Sequence, residues 1–390
     1  MQAIIDILQK LIAFKTISLQ SNLELIDYIE SYLNSFGITS KRVYSEDRLQ
    51  ANLFATIGNP EKGGICFSGH SDVVPVVNQP WSSDPFSLHK MGDKYYGRGT
   101  ADMKGYLACV LALVPEFIAA TRSNNATPIH IAISYDEEVG CVGVRRLIDQ
   151  LAEQENKPIA CIIGKPTMMQ VATAHKGKSA WRCSVHGVAA HSSQPHLGIN
   201  AIEYTAELVT FLQKSAREWQ TTENDNRYSP PFSTIQVGTI KGGTAVNVVP
   251  DYCQFDFEVR PLPTTSSEIL LRPFNSLVNH TLKPAIQNQN PQSDIKLKER
   301  VNYPGLVDDD SLAELKTICS NAIGTTSFCS LSFGTEAGLF QQAGIPTVVC
   351  GPGSIDVAHK ANEYVEHQQL EQCTTFLRKI VASVCTNSTQ

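Results

Sequence analysis

The chain has 390 residues, of which 42% are hydrophobic and 18% charged, and its formal net charge is −6. A single core stops growing at roughly 250–300 residues, so this length predicts two domains. The negative charge argues against a nucleic-acid-binding protein, which needs a basic surface to contact phosphates. We therefore expect a small molecule as the partner.

The sequence shows neither an export signal nor a membrane span. Asp6, Gln9 and Lys10 interrupt the apolar character of the N-terminal segment, and no small-residue cleavage site follows. No run approaches the roughly 18 apolar residues that a span requires. The eleven cysteines include no CxxC pair, which is typical of reduced core residues. These features predict a cytoplasmic protein.

The first part of the chain alternates between helical and strand patterns. Apolar residues at helical spacing predict two amphipathic helices within residues 4–36. Short apolar runs then predict four strands, at 53–57, 64–68, 129–134 and 159–163. A long helix at 104–120 is predicted between the second strand and the third. This alternation indicates a three-layer α/β domain with a largely parallel sheet, whose ligands bind beyond the carboxyl ends of the strands.

A second pattern begins after residue 177. Alternating strands at 179–186, 233–240 and 252–259 combine with helices at 200–218 and 267–280. A polar loop at 287–293 is the expected return point, because the α/β pattern resumes from residue 295. We therefore predict a catalytic domain formed by residues 1–177 and 291–390, with an α+β domain inserted at 178–290.

Histidines and acids cluster directly after the predicted strands. Metal-dependent hydrolysis needs such ligands around an open position, together with a separate carboxylate that moves protons. His70 and Asp72 follow one strand, and the Asp72 carboxylate would accept the second ring N–H of His70. A purely structural histidine is the alternative for this motif.

Three further motifs carry candidate ligands. Asp102 lies in a glycine-rich loop before a helix, where a helix cap is the alternative role. Glu137 and Glu138 follow a strand within a run of three acids, which repel one another unless a cation or a proton neutralises them. His359 lies in a loop after the strand at 347–350. A metal ion is the simplest explanation for the acidic run.

In their order and spacing, these motifs resemble the di-zinc amidohydrolase family of acetylornithine deacetylase, succinyl-diaminopimelate desuccinylase and aminoacylase. The resemblance implies a zinc-peptidase-like catalytic domain with an inserted dimerisation or lid domain. It also implies that His70 binds one zinc, Asp102 bridges two, and Glu138 and His359 bind the other. Glu137 would be the general acid and base, and Co²⁺ is an alternative metal.

Within this family, the run from His70 to Gly105 most resembles acetylornithine deacetylase, so hydrolysis of N2-acetyl-L-ornithine in arginine biosynthesis is the expected activity. The resemblance implies a homodimer in which His191 reaches the partner's active site. It also implies a set of substrate-binding residues: Asn247, Arg260, Gly334, Thr335 and Glu336. A surface position for His191 and a structural ion pair for Arg260 are the alternatives.

The pattern breaks at one position. Relatives have an acidic zinc ligand in a Gly-Glu-Pro-Thr segment, whereas this chain has Gly164-Lys165-Pro166-Thr167. Three outcomes remain open: a single-zinc enzyme in which Lys165 replaces the second cation, a carbamate on Lys165, or an impaired protein. A desuccinylase, an acetylcitrulline deacetylase and a non-catalytic paralogue that binds an amino acid are the alternative functions.

Overall fold

The computed structural model describes residues 1–123, 125–222 and 224–386. The chain forms two compact units. Unit 1 comprises residues 1–174, 308–329 and 335–390, and unit 2 comprises residues 175–307 and 330–334.

The α-helices are, in chain order, α1 Gln2–Ala13, α2 Leu23–Asn34, α3 Lys104–Ala112, α4 Val114–Ala120, α5 Val144–Ala152, α6 Ala201–Thr222, α7 Ser267–Leu277, α8 Lys283–Gln289, α9 Ala313–Ile323, α10 Ala337–Gln342 and α11 His367–Thr386. The strands are β1 Ser40–Tyr44, β2 Ala51–Ile57, β3 Ile65–His70, β4 His89–Met91, β5 Lys94–Tyr96, β6 Ile129–Ser134, β7 Ala160–Ile163, β8 Ala172–His175, β9 Lys178–His186, β10 Ala190–His191, β11 Thr234–Gly242, β12 Val248–Val249, β13 Tyr252–Arg260, β14 Asp294–Tyr303, β15 Cys329–Leu331, β16 Thr347–Val349 and β17 Tyr364–Glu366.

Unit 1 is built on a mixed sheet with the strand order β1-β2-β6-β3-β7-β16-β8-β15. Its centre is parallel, because β3 pairs with β6 and β7, and β16 pairs with β7, all in parallel register. The outer pairs β1/β2, β2/β6 and β16/β8 are antiparallel. Every residue of β3, β6 and β7 is buried. Successive side chains of a strand point to opposite faces, so both faces are covered and the predicted three-layer α/β architecture is confirmed.

Unit 2 is an α+β unit built on a four-stranded antiparallel sheet with the order β11-β13-β9-β14. Apolar residues alternate along β13, where Phe255 and Phe257 point into the unit's core. The same core contains Leu208 of α6 and Phe274 of α7. The period-2 pattern of the strands and the 3.6-residue pattern of the helices thus converge on one hydrophobic cluster.

The expected return to the catalytic domain at residue 291 is too early. β14 pairs with β9 over nearly its full length, so residues 294–303 complete the sheet of unit 2. The predicted loop at 287–293 also contains the end of α8. A single strand carries no signal of which sheet it joins, because pairing partners are set by tertiary contacts.

The predicted helix at 104–120 is two helices. It is interrupted at Leu113, and Pro115 lies in the first turn of α4. Proline is tolerated there because the first N–H groups of a helix have no intrahelical acceptor.

All eleven cysteines lie in the described ranges and are free, and all but Cys329 and Cys385 are buried. Among the described residues, no helix combines the length and the apolar character needed to cross a membrane.

Candidate metal centre

The candidate ligands of unit 1 lie where parallel strands end. His70 is the last residue of β3, Glu137 and Glu138 follow β6, Lys165 follows β7, and His359 follows β16. The carboxyl ends of adjacent parallel strands meet at one edge of a sheet, which is where open α/β sheets bind their ligands. The topology therefore brings together residues that are far apart in sequence.

Lys165 lies in the middle of this cluster. Its Nζ is 2.7 Å from Oδ1 and 2.8 Å from Oδ2 of Asp102, and 3.2 Å from Oε2 of Glu137. It also lies 3.0 Å from Nε2 of His70 and 3.7 Å from Oε1 of Glu138. Burial alone would lower the pKa of Lys165, but Asp102, Glu137 and Glu138 outweigh it and raise that pKa well above its usual value. The side chain is therefore a buried ammonium.

The Lys165 ammonium limits how many metal ions the cluster can bind. The possible ligand atoms of His70, Asp102 and Glu138 lie within 4.8 Å of one another, which suits a cation. Lys165 contacts all three of these side chains. The ammonium and a metal cannot both occupy the space between them, so this inner position does not fit a metal while Lys165 is protonated.

A second, outer set of ligands remains open to a metal. Nε2 of His359 lies 3.0 Å from Oε2 of Glu138 and 3.3 Å from Oδ2 of Asp102. Tetrahedral zinc with bonds near 2.0–2.1 Å separates its N and O ligands by roughly 3.3 Å. Hydrogen bonds to Asp102 and Glu138 raise the pKa of His359 to about 10 in the metal-free chain. A metal ion would replace that proton, so this trio fits one metal.

Glu137 differs from its neighbour Glu138 in its environment. Burial raises the pKa of Glu137 to about 7, although Lys165 and His70 act in the opposite direction. A carboxyl group with a pKa near neutrality can take up and release a proton at physiological pH. Glu137 thus has the property expected of a general acid and base.

The first acid of the run serves another purpose. Asp136 adopts a left-handed backbone conformation with φ of 51°. Its carboxylate accepts hydrogen bonds from the Leu19 amide (2.7 Å) and the Gln50 side chain (2.9 Å). Asp136 thereby anchors the loop through these contacts, while Glu137 and Glu138 point into the cluster.

Asp72 holds this acidic loop in place. Its carboxylate accepts the backbone N–H groups of Glu137 (3.1 Å) and Glu138 (3.3 Å), and the Ser18 hydroxyl (2.7 Å). The predicted contact between its carboxylate and His70 is the longer of two contacts to the imidazole. Nδ1 of His70 lies 2.9 Å from the backbone oxygen of Asp72 but 3.5 Å from Oδ1. The carbonyl is the closer acceptor, so the carbonyl sets the orientation of the imidazole.

Asp102 does not cap helix α3. The cap position is Met103, and both Asp102 carboxylate oxygens contact Lys165. The backbone of the Asp102 loop is bonded instead to Glu363, a residue that the sequence reasoning missed. Glu363 follows His359 by four residues, and Arg98 precedes Asp102 by four residues in the glycine-rich loop. This proximity to two candidate ligands was the available signal.

Thr335 and Glu336 lie at the start of α10 in unit 1. The Thr335 hydroxyl accepts the Ala337 N–H (3.0 Å), and Glu336 accepts a 2.6 Å hydrogen bond from Ser134 at the end of β6. Burial and the Glu137 charge raise the pKa of Glu336 to about 8. Glu336 is only 1% exposed. Its carboxyl group is therefore part of the interior around the cluster.

The remaining candidates belong to unit 2. His191 is exposed and bonds through Nδ1 to the Ser193 hydroxyl (2.7 Å). Arg260 forms a 2.8 Å ion pair with Glu258, which is the structural role named as its alternative. Asn247 is exposed, and its backbone carbonyl accepts the Ser192 N–H (3.1 Å). At Gly334 a Cβ atom would lie 2.2 Å from the Tyr303 ring, so packing alone requires glycine there.

Comparison with known proteins adds to this geometry. The sequence profile of peptidase family M20/M25/M40 matches residues 66–383. The chain belongs to this family. It is 33% identical over 94% of its length to acetylornithine deacetylase of Pasteurella multocida, of which it covers 92%. It is 31% identical over 98% of its length to the enzyme of the same name from Proteus mirabilis, of which it covers 96%.

Solved structures of family members share the fold. An M20 metallo-carboxypeptidase from Sulfolobus solfataricus superimposes with a TM-score of 0.75 at 15% identity, covering 98% of this chain and 99% of that one. A dinuclear metal-binding M20 peptidase from Bacillus subtilis gives 0.67 at 14% identity, covering 99% and 98%. Family membership makes this chain a metal-dependent amidohydrolase, as the four motifs predicted.

Proposed function

We propose that the chain hydrolyses the amide bond of an N-acyl amino acid, with N2-acetyl-L-ornithine as the first candidate substrate and acetate and L-ornithine as products. Two curated relatives of nearly the same length carry the corresponding name. The single observation that carries the proposal is the position of Glu137. The Lys165 ammonium contacts both the Glu137 carboxylate and that of Asp102, a proposed metal ligand. A proton-transfer group and metal ligands thus meet in one buried cluster. The proposed setting is the cytoplasm, where free thiols remain reduced.

Asp102, Glu138 and His359 would hold one zinc ion, or Co²⁺ in its place. Such an ion lowers the pKa of bound water toward about 7 and polarises the substrate carbonyl. Lys165 supplies the positive charge that balances Asp102 and Glu137 on the inner side. The candidate ligands His70, Asp102, Glu138 and His359 would carry a charge of −3 together with a carboxylate at position 165. Together with protonated Lys165 they carry −1. The second metal therefore loses most of its electrostatic attraction.

In the proposed reaction Glu137 takes a proton from water as the water oxygen bonds to the amide carbonyl carbon. It then passes that proton to the amine nitrogen as the C–N bond breaks. Asp72 fixes the backbone of Glu137 and thus the direction of its carboxylate. His70 lies on the inner side, where its Nε2 is 2.9 Å from Oδ1 of Asp102 and 3.0 Å from Nζ of Lys165. Glu336 would favour a substrate with a cationic side chain, because an ammonium group offsets the cost of ionising its buried carboxyl.

We further propose a homodimer formed through residues about 178–290, in which His191 contributes to the partner's active site. β11 is an edge strand of the unit 2 sheet and is mostly exposed. Exposed apolar side chains occur on it and nearby, at Ile240, Val246 and Val248. Open edges with apolar side chains pair readily with a second copy. The imidazole of His191 is exposed and bonds the Ser193 hydroxyl through Nδ1, and it would be available to such a partner.

The competing activities are deacylation of another N-acyl amino acid, such as succinyl-diaminopimelate or acetylcitrulline, and binding without turnover. Lys165 is the observation that favours the last of these, because it fills the inner metal position. The test measures zinc stoichiometry and acetylornithine hydrolysis on one metal-replete sample, with the succinyl and citrulline compounds as competing substrates. Hydrolysis of acetylornithine with about one zinc per chain supports the proposal. Zinc binding without hydrolysis of any of the three contradicts it.

A further inference from the structure

Glu363 joins the backbone on both sides of the metal centre. It is 1% exposed. Oε1 of Glu363 accepts the backbone N–H groups of Ala101 (2.9 Å) and Asp102 (3.0 Å). Oε2 accepts the N–H of Gly99 (3.0 Å) and one guanidinium nitrogen of Arg98 (2.7 Å). One buried carboxylate therefore fixes the loop that presents Asp102.

The same group is connected to His359. Arg98 donates to the backbone oxygen of Lys360 (3.3 Å) and, through its other terminal nitrogen, to the side-chain oxygen of Gln79. The Gln79 amide in turn donates to the backbone oxygen of His359 (2.9 Å). Two ligands that come from segments more than 250 residues apart are thus tied together by one chain of hydrogen bonds.

We propose that Glu363 is a positioning residue that sets the separation of Asp102 and His359 for a single metal ion. This inference rests on the proposed function only in assuming that these two residues bind metal. Glu363 acts through the backbone N–H groups of Gly99, Ala101 and Asp102 and through the Arg98 guanidinium. Its role is to fix ligand geometry rather than to take part in proton transfer.

The chemistry of the contact explains why a carboxylate is needed. Four N–H donors converge on two oxygens, and a carboxylate consists of acceptors only. Glutamine has an NH₂ group in place of one of these oxygens. That group would face at least two of the donors and could not accept hydrogen bonds from them. The charge is balanced by Arg98, so the Glu363–Arg98 pair adds no net charge to the centre. Loss of the carboxylate therefore acts on geometry, and neighbours that orient metal ligands typically change metal affinity by roughly 10–100-fold.

The experiment titrates metal-free full-length protein with Zn²⁺ by calorimetry and measures thermal unfolding of the same metal-free samples. The variants are Glu363→Gln and the control Glu116→Gln. Glu116 forms a two-bond pair with Arg378 at 2.7 Å and 2.8 Å, with both side chains about half exposed, away from the ligands. We expect Glu363→Gln to weaken zinc binding roughly 10–100-fold while Glu116→Gln binds like the parent.

The outcomes separate the two proposals. If the parent chain fails to bind zinc, the proposed metal centre is wrong. If the parent binds and folded Glu363→Gln binds equally well, or if both variants weaken binding alike, the role of Glu363 is wrong. If Glu363→Gln does not fold, the half-buried Gln79→Ala decides. Weaker zinc binding in this variant supports the hydrogen-bonded link to His359, and unchanged binding overturns it.

Discussion

The ammonium nitrogen of Lys165 contacts both carboxylate oxygens of Asp102, at 2.7 Å and 2.8 Å. In the family pattern Asp102 would bridge two cations. In this chain its carboxylate contacts the Lys165 ammonium on the inner side and His359 on the outer side. The ammonium carries one positive charge where a zinc ion would carry two. Asp102, Glu137 and Glu138 nevertheless keep it protonated, since their combined field raises its pKa.

The exchange Lys165→Glu should restore a second metal position. It changes the charge of the ligand set from −1 to −3 and removes the ammonium from between His70 and Asp102. We expect the zinc content of the purified protein to rise from about one to about two per chain, as measured by elemental analysis. Lys165→Met is the matched control, because it removes the ammonium without supplying a ligand. Two zinc ions in the parent chain would contradict the single-metal assignment, unless a carbamate is found on Lys165.

The exchange Glu137→Gln should separate proton transfer from metal binding. Its amide cannot act as a base, so we expect turnover of acetylornithine to fall by roughly 10²–10⁴-fold. The zinc content should stay near that of the parent, since Glu137 is not one of the three proposed outer ligands. Elemental analysis and steady-state kinetics on the same sample provide both values. Loss of zinc would show that the roles of Glu137 and Glu138 are exchanged.

Complementation between chains should test the role of His191. Chains carrying His191→Ala and chains carrying Glu137→Gln should each be inactive as homodimers. In a mixed dimer, one active site would combine an intact Glu137 with an intact His191 from the neighbouring chain. We expect partial recovery of activity after mixing and exchange. If heterodimers verified by differential tagging stay inactive, His191 does not act across the interface.

His130 should make the protein sensitive to mild acid. It lies on β6, where Phe54 stacks on it and Thr56 hydrogen-bonds its Nδ1 (3.0 Å). Burial lowers the pKa of His130 to about 4 from its model-peptide value of 6.5. Between these two values the unfolded chain binds a proton that the folded chain does not bind. Stability is therefore lost as pH falls through this window, by roughly 1–2 kcal/mol between pH 7 and pH 5.

The exchange His130→Phe should remove this contribution. We expect its free energy of unfolding to decrease less between pH 7 and pH 5 than that of the parent, as measured by urea unfolding at both values. His89→Gln, at an exposed position, serves as the control. An unchanged pH dependence in His130→Phe would show that His130 is not the group responsible.

The local chemistry of this protein could be predicted from its sequence. Strand and helix patterns are short-range, so the alternation of residues 53–163 predicted the α/β unit, and the four motifs predicted the family. The position of candidate ligands after strands also followed, because the carboxyl ends of parallel strands meet at one edge. The break at Lys165 was visible as a charge reversal within a recognisable segment.

Tertiary structure decided what each of these groups contacts. β14 joins the sheet of unit 2 because of its pairing with β9, which no local pattern encodes. Asp136 and Glu137 are adjacent acids, yet a left-handed backbone turns one toward Leu19 and the other toward Lys165. The link from Glu363 to Asp102 spans 261 positions. Hydrogen bonds depend on distance and direction in space, and these exist only after the chain has folded.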